Sequence, residues 1–259
     1  MVEKMPALFF GHGNPMNALE RNEYSTTWER LGAEMPRPRA ILSVSAHWYT
    51  PGGRVTAQER PRTIHDFGGF PRQLYQVEYP APGSPELARR VRDLLAPTRV
   101  ELDDRWGLDH GTWSILVHMY PQAAVPVVQL GLDETLTPEE HWALAVRLRP
   151  LREEGVLILG SGDVVHNLHT YAWGRHPVEP YDWALRFENA IRTAIDAGDM
   201  QAVVGYEKLG RDAALAVPTP DHFLPLLYGL AQARPEEPIT YPVQGFDGGS
   251  VSMLGIRIG

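Results

Sequence analysis

Short apolar segments alternate with capped, amphipathic segments along most of this chain, and this alternation restricts the fold more than any other feature. Apolar runs of four to six residues indicate buried strands at residues 7–10, 40–45, 125–130 and 156–159. Helices are predicted at residues 84–95, 137–154, 181–197 and 221–233, with two further strands at 239–243 and 250–258. Because the two kinds of element alternate, we predict an α/β fold with a mostly parallel central sheet and helices on both faces.

Two of the predicted helices carry explicit start signals. Ser84 precedes a proline and a glutamate, an arrangement typical of a first helical turn. Thr137 and Glu140 are spaced as a capping box, and Gly155 follows the same helix as a stop signal.

Histidines follow three of the predicted strands. His12 lies between two glycines after the first strand, His47 follows the second, and His166 comes shortly after the Gly-Ser-Gly-Asp segment at 160–163. Ligands of open α/β sheets bind at the carboxyl ends of the strands, where the loops diverge. The flanking glycines are expected to turn the backbone tightly and leave the His12 imidazole uncovered.

Two more histidines are candidates for the same site. His222 opens a predicted helix after the rigid Pro-Thr-Pro segment at 218–220, and His110 sits at a predicted helix start. His110 could bind a substrate or simply cap its helix, and any single histidine could be a hydrogen-bonded structural residue instead of a ligand. His65 lies in a loop and could touch a substrate, whereas four histidines are interpreted as structural or surface residues: His118, His141, His169 and His176.

Composition limits the chemistry. The sequence contains no cysteine, so any metal must be held by nitrogen and oxygen donors. A net charge of -8 disfavours nucleic acid or an anionic membrane as a partner. The length of 259 residues fits one domain, 1–259. The brief apolar run near the amino terminus is too short for a signal peptide or a membrane span, so a cytoplasmic location is expected.

Nucleotide and serine-hydrolase motifs are incomplete. The Gly-His-Gly segment at 11–13 lacks the third glycine of a dinucleotide fingerprint, and the Gly-Ser-Gly segment at 160–162 lacks the order of a nucleophile elbow. Metal chemistry is the function that these residues favour. No cofactor-binding residues other than metal ligands are predicted.

Five ordered motifs resemble the class III extradiol ring-cleavage dioxygenases, with the closest likeness to the 4,5-DOPA dioxygenase group. They are GHGNPM at 11–16, SAHW at 45–48, DHGTW at 109–113, GSGDVVHNL at 160–168 and PTPDHF at 218–223. The resemblance spans nearly the whole chain. It implies an α/β fold and a mononuclear non-haem iron(II) site, with zinc(II) held by some members of the group.

The resemblance also implies roles for the histidines. His12 and His47 would be two metal ligands. His166 would act beside the metal as a general acid/base or serve as a further ligand, and His110 would face the bound catechol.

The third protein ligand departs from the commoner pattern. Many ring-cleavage enzymes use a glutamate there, whereas the DOPA-like motif supplies a histidine, here His222. Asp163 or Asp221 could still provide a carboxylate, as a ligand or as a partner of one. A DOPA-like substrate would also require a cation for its carboxylate, for which the loops offer three arginines: Arg54, Arg62 and Arg72.

The implied reaction inserts both atoms of O2 into a catechol beside its diol and yields a semialdehyde. Two rival functions use the same residues: a zinc hydrolase in which the histidines activate water, and a non-enzymatic binding or signalling module. The sequence does not specify the physiological catechol or the oligomeric state.

Overall fold

The computed structural model describes residues 3–175 and 177–259, over which the chain forms ten strands and nine α-helices. The strands are β1 (Ala7–Gly11), β2 (Ala40–Thr50), β3 (Gly53–Thr56), β4 (Val100–Asp103), β5 (Val127–Asp133), β6 (Val156–Gly162), β7 (Ile239–Val243), β8 (Phe246–Asp247), β9 (Val251–Ser252) and β10 (Gly255–Ile258). The helices are α1 (Glu23–Glu34), α2 (Pro85–Leu95), α3 (His110–Met119), α4 (Pro138–Arg147), α5 (Pro150–Glu153), α6 (Asp182–Asp196), α7 (Met200–Val204), α8 (Arg211–Ala216) and α9 (Leu224–Leu230). Short 3-10 turns occur at Pro15–Ala18, Leu74–Gln76, Tyr206–Leu209 and Pro220–His222.

Eight of these strands form one sheet in the order β4-β3-β5-β2-β6-β1-β10-β7. The four central strands β5, β2, β6 and β1 are parallel to one another, as is the β3–β4 pair, whereas the pairs β3–β5, β1–β10 and β10–β7 are antiparallel. The carboxyl ends of the four central strands therefore lie at one edge of the sheet. The predicted α/β class with a mostly parallel sheet is confirmed.

Helices cover both faces of the sheet. On one face, α2, α4 and α6 to α9 bury an apolar cluster that includes Phe187 and Leu227. On the other face, α1 and α3 pack around Trp28 and Trp113, both fully buried. Burying side chains of this size stabilises the fold by roughly 1.5–3 kcal/mol each, so each face has a substantial core to fix the central strands.

The predicted capping signals are confirmed. The Ser84 side chain accepts a hydrogen bond from the backbone N–H of Leu87, and Thr137 and Glu140 form both bonds of a capping box. Gly155 has a φ of 81°, the left-handed conformation that favours glycine.

Proline shortens two of the predicted helices. The predicted helix at 137–154 is divided into α4 and α5 at Pro150, which lacks an N–H and cannot continue the α4 ladder. The predicted helix at 221–233 is instead a 3-10 turn, Pro220–His222, followed by α9, which ends at Leu230. The turn and α9 are not one continuous helix because Pro225 has no N–H with which to bond back to the turn.

Strand boundaries also differ from the predictions. The predicted strand at 250–258 is two strands, because β9 pairs with β8 outside the main sheet while β10 pairs with β1. The strand predicted at 125–130 begins two residues later and runs to Asp133, and β2 extends to Thr50. His47 therefore lies within β2 and not beyond its end, as the sequence had suggested.

Candidate metal centre

Five predicted histidines meet in one pocket of about 330 Å³ at the carboxyl edge of the central strands. His12 follows β1 directly, and His47 lies in the last part of β2. The other three line the same pocket from α3, from the loop after β6 and from the 3-10 turn before α9: His110, His166 and His222.

The backbone of β2 is irregular where it presents His47. Its pairing with β6 stops at Ser45, and its register with β5 shifts between Val44 and Tyr49. An irregularity of this kind locally redirects a side chain. Gly111 in α3 completes the arrangement, because a Cβ there would lie 2.5 Å from the Ser45 hydroxyl and 3.0 Å from the His47 ring.

Glycines in β6 let the turn that carries His222 approach closely. A Cβ on Gly162 would overlap the carbonyl oxygen of His222, and one on Gly160 would overlap the carbonyl oxygen of Pro225. The close approach is fixed by a 2.9 Å hydrogen bond from the Asp163 N–H to the His222 carbonyl. The Gly-Ser-Gly segment is thus required for packing against the His222 turn.

One ring nitrogen from each of His12, His47 and His222 lies within 4.8 Å of the other two. The Nε2 atoms of His12 and His47 are 3.0 Å apart, and the buried Nε2 of His222 has no hydrogen-bond partner within the described residues. His12 is only 2% exposed, so the prediction that its imidazole is left uncovered was wrong. Gly13 does adopt the predicted tight turn, with a φ of 56°.

The Nδ1 side of each of these three imidazoles is held by a different residue. Nδ1 of His12 lies 3.0 Å from the Ser161 hydroxyl, which donates its own proton to the Gly111 carbonyl and is therefore left to accept from His12. Asp221 accepts a hydrogen bond from Nδ1 of His222 at 2.5 Å, and a carboxylate oxygen of Asp66 lies 3.3 Å from Nδ1 of His47 as an ion-pair contact. An acceptor at Nδ1 places the proton there and leaves the Nε2 lone pair free.

Burial keeps the imidazoles neutral. Desolvation, followed by repulsion from neighbouring histidines, lowers the pKa of His12 and His47 well below the usual value. The same causes lower the pKa of His166 to about 2. Neutral imidazoles are the form that can bind a metal ion.

These residues fit a divalent metal ion. Two lone pairs facing each other at 3.0 Å repel, and a cation bound to both nitrogens would remove this repulsion. The unpartnered Nε2 of His222 adds a third donor in the same group. Three neutral nitrogen donors suit iron(II) or zinc(II) equally by ligand type.

Two carboxylates predicted as alternative ligands lie next to these donors. Asp163 is buried, with Oδ2 3.6 Å from Nε2 of His12, and desolvation raises its pKa well above the usual value. Asp221 bonds to His222; although burial alone would raise its pKa, the hydrogen bond from His222 outweighs this and lowers the pKa to about 2.

His166 and His110 flank the three-nitrogen group. The His166 ring stacks on His222 at 3.5 Å and an interplanar angle of 4°. His110 lies with its ring centroid 3.9 Å from that of His47, and its Nδ1 is 3.0 Å from Asp66. Each also belongs to a neighbouring group that could hold a metal ion: His110 with His47 and Asp66, and His166 with His222 and Asp163.

Sequence reasoning missed two residues that orient these histidines, Asp66 and Ser161. Asp66 contacts both His47 and His110 and also accepts the His110 backbone N–H at 2.9 Å. No motif marks it, since it sits in an irregular loop. Ser161 was considered only as a nucleophile, although its position opposite β1 at the sheet edge could have indicated a partner for His12.

The remaining histidines lie outside the pocket lining. His65 bonds to the Val77 carbonyl, so the suggestion that it touches a substrate is not supported. His118 and His141 make structural hydrogen bonds to Asn17 and Tyr228, as predicted. His169 is exposed, and His176 lies outside the described residues.

The arginines suggested for a substrate carboxylate are not in this pocket. Arg54 and Arg62 line a separate cavity of about 430 Å³ that shares only His47 with it, and Arg72 is exposed elsewhere. The walls around the histidines are instead largely apolar, formed by Phe67, Phe70, Leu168, Tyr171 and Trp173.

The fold and the site are those of α/β proteins that bind ligands at the carboxyl edge of a parallel sheet, here with imidazoles placed so that they could hold a metal ion. Residues 12–239 match the family described as the catalytic LigB subunit of aromatic ring-opening dioxygenase, and the chain belongs to this family. It is an extradiol-type, ring-opening oxidoreductase, as the five motifs indicated. Membership counts against the hydrolase and binding-module alternatives.

Close relatives are similar over almost their full length. A protein of Escherichia coli K12 named 4,5-DOPA dioxygenase extradiol is 48% identical over 260 residues, covering 99% of this chain and 95% of that protein. A Beta vulgaris protein of the same name is 39% identical over 250 residues, covering 94% and 92%. The crystal structure of an uncharacterized protein from Escherichia coli K12 has a TM-score of 0.86 at 45% identity and covers 98% of this chain and 100% of that one.

Within residues 3–175 and 177–259, none of the helices is both long enough and apolar enough to cross a membrane.

Proposed function

We propose that this chain, acting as a single catalytic domain, opens the ring of a catechol such as DOPA beside its diol, with a non-haem iron(II) ion held by His12, His47 and His222. The observation that carries the proposal is the shared orientation of these imidazoles: Nδ1 of each lies next to an oxygen of the chain, and one nitrogen of each ring faces those of the other two. The names of the full-length relatives support DOPA as one substrate. The product of this reaction is a semialdehyde.

Iron(II), when bound, would supply a redox-active Lewis acid that holds a catecholate and dioxygen next to each other. The chain's own residues provide the pocket and the proton transfers. Phe67, Phe70 and Trp173 line the pocket with apolar surface on which a planar ring could pack.

His166 is proposed as the residue that accepts a catechol proton. Its imidazole is neutral because burial, and then repulsion from His222, lowers its pKa to about 2. A catecholate anion beside it would favour the protonated form and so promote the transfer. His166 also forms a possible metal-binding group with Asp163 and His222, so its role as a base and not as a ligand is part of the proposal.

His110 is proposed to hydrogen-bond a catechol oxygen. Asp66 accepts a hydrogen bond from its backbone N–H, and a carboxylate oxygen of Asp66 lies 3.0 Å from its Nδ1, which places the ring at the first turn of α3. Its other nitrogen is then available to the pocket that His110 lines.

The proposal is tested by loading the purified protein with iron(II) without oxygen and then adding L-DOPA and air. We expect oxygen consumption and a yellow semialdehyde, neither of which a zinc hydrolase can produce. His12→Ala and His47→Ala are expected to lose both bound metal and turnover, whereas His65→Ala, outside the pocket, should keep both. Wild-type protein that binds iron but consumes no oxygen with any catechol would contradict the proposal.

The role of His166 needs a separate measurement. His166→Gln should retain one metal ion per chain and lower kcat by about a hundredfold or more, the scale of general acid–base catalysis. His169→Gln, an exposed histidine in the same loop, is the matched control. Loss of the metal from His166→Gln would instead identify His166 as a ligand.

A further inference from the structure

We propose that Glu188 is a positioning residue of the active site: its buried carboxylate holds Ser252, and through the strand that contains Ser252 it fixes the position of the His166 imidazole. The inference rests on the proposed function, in which His166 accepts the catechol proton, and it adds a residue to that machinery. Three observations carry it: how His166 is held, where Ser252 lies, and what surrounds Glu188.

The imidazole of His166 is held differently from two of the proposed ligands. His12 and His222 each have an oxygen of the chain as a hydrogen-bond partner at Nδ1. For His166, the described residues provide instead a stack on the His222 ring, with centroids 3.5 Å apart. A stacked ring can still slide in its own plane, so the backbone that carries His166 decides where its ring nitrogens lie.

That backbone is paired with β9. Val251 lies opposite His166 as in an antiparallel strand pair, and the N–H of Ser252 donates to the Val165 carbonyl at 2.9 Å. The residue after His166 donates its own N–H to the carbonyl of Ser250 at 3.1 Å. Because both neighbours of His166 are bonded to this strand, a displacement of β9 is transmitted to the His166 backbone.

The same strand packs against the end of β1. A Cβ on Gly11 would overlap the Ser252 carbonyl oxygen, and the Gly11 N–H donates to the Leu254 carbonyl at 2.9 Å. His12 follows Gly11 directly. β9 therefore spans the gap between the backbone that carries His166 and the end of the strand that precedes His12.

Glu188 joins β9 to the helix layer. The Ser252 hydroxyl donates to a carboxylate oxygen of Glu188 in α6 and accepts the Leu254 N–H at 3.2 Å. Glu188 is only 5% exposed and lies on the buried side of α6 with Phe187 and Ile191. Burial in these surroundings disfavours a charged carboxylate and raises the pKa of Glu188. An apolar side chain would pack here without that penalty, so the bond to Ser252 accounts for the carboxylate.

The cation that acts on Glu188 is engaged elsewhere. Arg192, one turn along α6, opposes the effect of burial on the pKa of Glu188. Its guanidinium donates to the Gln244 side chain at 3.0 Å and lies 4.7 Å from the centre of the Tyr241 ring. Within the part of the chain that the structure describes, Glu188 thus has the Ser252 hydroxyl and no ion-pair partner.

The experiment removes the carboxylate and then restores an oxygen that can accept the hydrogen bond. For iron-loaded Glu188→Ala with L-DOPA, we expect kcat to fall about ten- to a hundredfold, the cost of a misplaced catalytic group, with KM and metal content unchanged. Glu188→Gln keeps an acceptor for Ser252 and should return kcat to within about threefold of the wild type. Wild-type kcat in Glu188→Ala, or no recovery in Glu188→Gln, would overturn the inference.

A matched control separates positioning from a general loosening of α6. Ile191→Ala opens a cavity on the same buried side of the helix and should lower the thermal transition temperature while leaving kcat unchanged. An equal loss of kcat in Ile191→Ala would show that any defect in α6 has this effect, and the assignment of Glu188 would be wrong.

A double-mutant cycle tests whether Glu188 acts through Ser252. Ser252→Ala should lower kcat as much as Glu188→Ala does, and the double variant should lower it no further, because both changes remove the same hydrogen bond. Effects that multiply in the double variant would show that the two residues act independently, which contradicts the inference.

The position of His166 can also be followed without turnover. In NMR spectra of zinc-loaded protein with isotope-labelled histidine rings, the His166 signals are those absent from His166→Gln. We expect them to shift or broaden in Glu188→Ala and to return in Glu188→Gln, while the signals of His65, outside the pocket, stay in place.

This readout distinguishes failure of the inference from failure of the proposed function. If L-DOPA is cleaved but neither kcat nor the His166 signals respond to Glu188→Ala, ring cleavage stands and the positioning role falls. If no catechol is cleaved but the His166 signals respond as expected, the positioning role stands and the proposed function falls.

Discussion

Asp66→Asn should weaken metal binding although Asp66 is not one of the three proposed ligands. In the wild-type protein, Oδ1 accepts the His110 backbone N–H at 2.9 Å, and Oδ2 lies 3.3 Å from Nδ1 of His47 and 3.0 Å from Nδ1 of His110. Asparagine can keep the backbone bond through its oxygen. Its amide N–H groups then face two Nδ1–H donors.

The His47 ring can relieve this conflict only by moving its proton to Nε2 or by losing its partner. The first removes the lone pair that the metal needs, and the second removes the carboxylate that lies next to Nδ1. Both correspond to a metal dissociation constant roughly 10- to 100-fold higher, the range found for residues that orient metal-ligating histidines.

Competition with a chromogenic chelator measures this constant for zinc(II) and, without oxygen, for iron(II). Asp104→Asn makes the same charge change at an exposed position and should leave the constant unaltered. The thermal transition of the metal-free protein controls for folding. A dissociation constant for Asp66→Asn within about twofold of the wild type would refute the argument that Asp66 fixes the His47 tautomer.

Two further predictions concern the stability of the metal-free protein. Gly162→Ala places a Cβ against the His222 carbonyl and should lower the free energy of unfolding by about 1–3 kcal/mol. Gly68→Ala is the control, because a Cβ there would meet no atom within 4 Å, and it should change this free energy little. Similar urea midpoints for both variants would show that the close approach of the His222 turn does not require glycine. Burial lowers the pKa of His166 in the folded protein to about 2, whereas in the unfolded chain its pKa is about 6.5. Between these two pH values the unfolded chain therefore binds one more proton than the folded protein. The contribution of His166 to the free energy of unfolding is complete above pH 6.5 and falls by up to about 1.4 kcal/mol per pH unit below it. Urea titrations at pH 7.5, 6.5 and 5.5 should show a steeper loss for the wild type than for His166→Gln, and parallel losses would contradict the shifted pKa.

The parts of the fold that the sequence predicted are those where pattern and burial agree. The strands β1, β5 and β6 are buried at every position and appear as apolar runs. The short strands β3 and β4 were missed because four residues carry too little pattern. Helix α3 was recognised only at its start, because eight of its ten residues are buried and no polar face reveals the helical period.

The site was predictable as a set of histidines but not as a geometry. The sequence placed His12 and His222 at loops that the sheet brings together, and the structure places both in the pocket. It could not indicate that β2 continues through His47, because the register shift depends on which strands pair with β2. The arginine suggestions failed for a related reason: Arg54 lies on β3, whose position beside β5 directs it to another cavity.

The three proposed ligands are oriented by residues from three different segments, and this has a consequence for how the site tolerates change. Ser161 belongs to β6, Asp66 to the loop between β3 and α2, and Asp221 to the turn before α9. A substitution of one of these partners releases a single imidazole, while the other two remain anchored by their own segments. Loss of one partner should therefore weaken metal binding only in part. A displacement of β6 would disturb both the contact of Ser161 with His12 and the packing of the His222 turn against Gly162. The Gly-Ser-Gly segment of β6 is thus the part of the scaffold on which the geometry of the metal centre depends most.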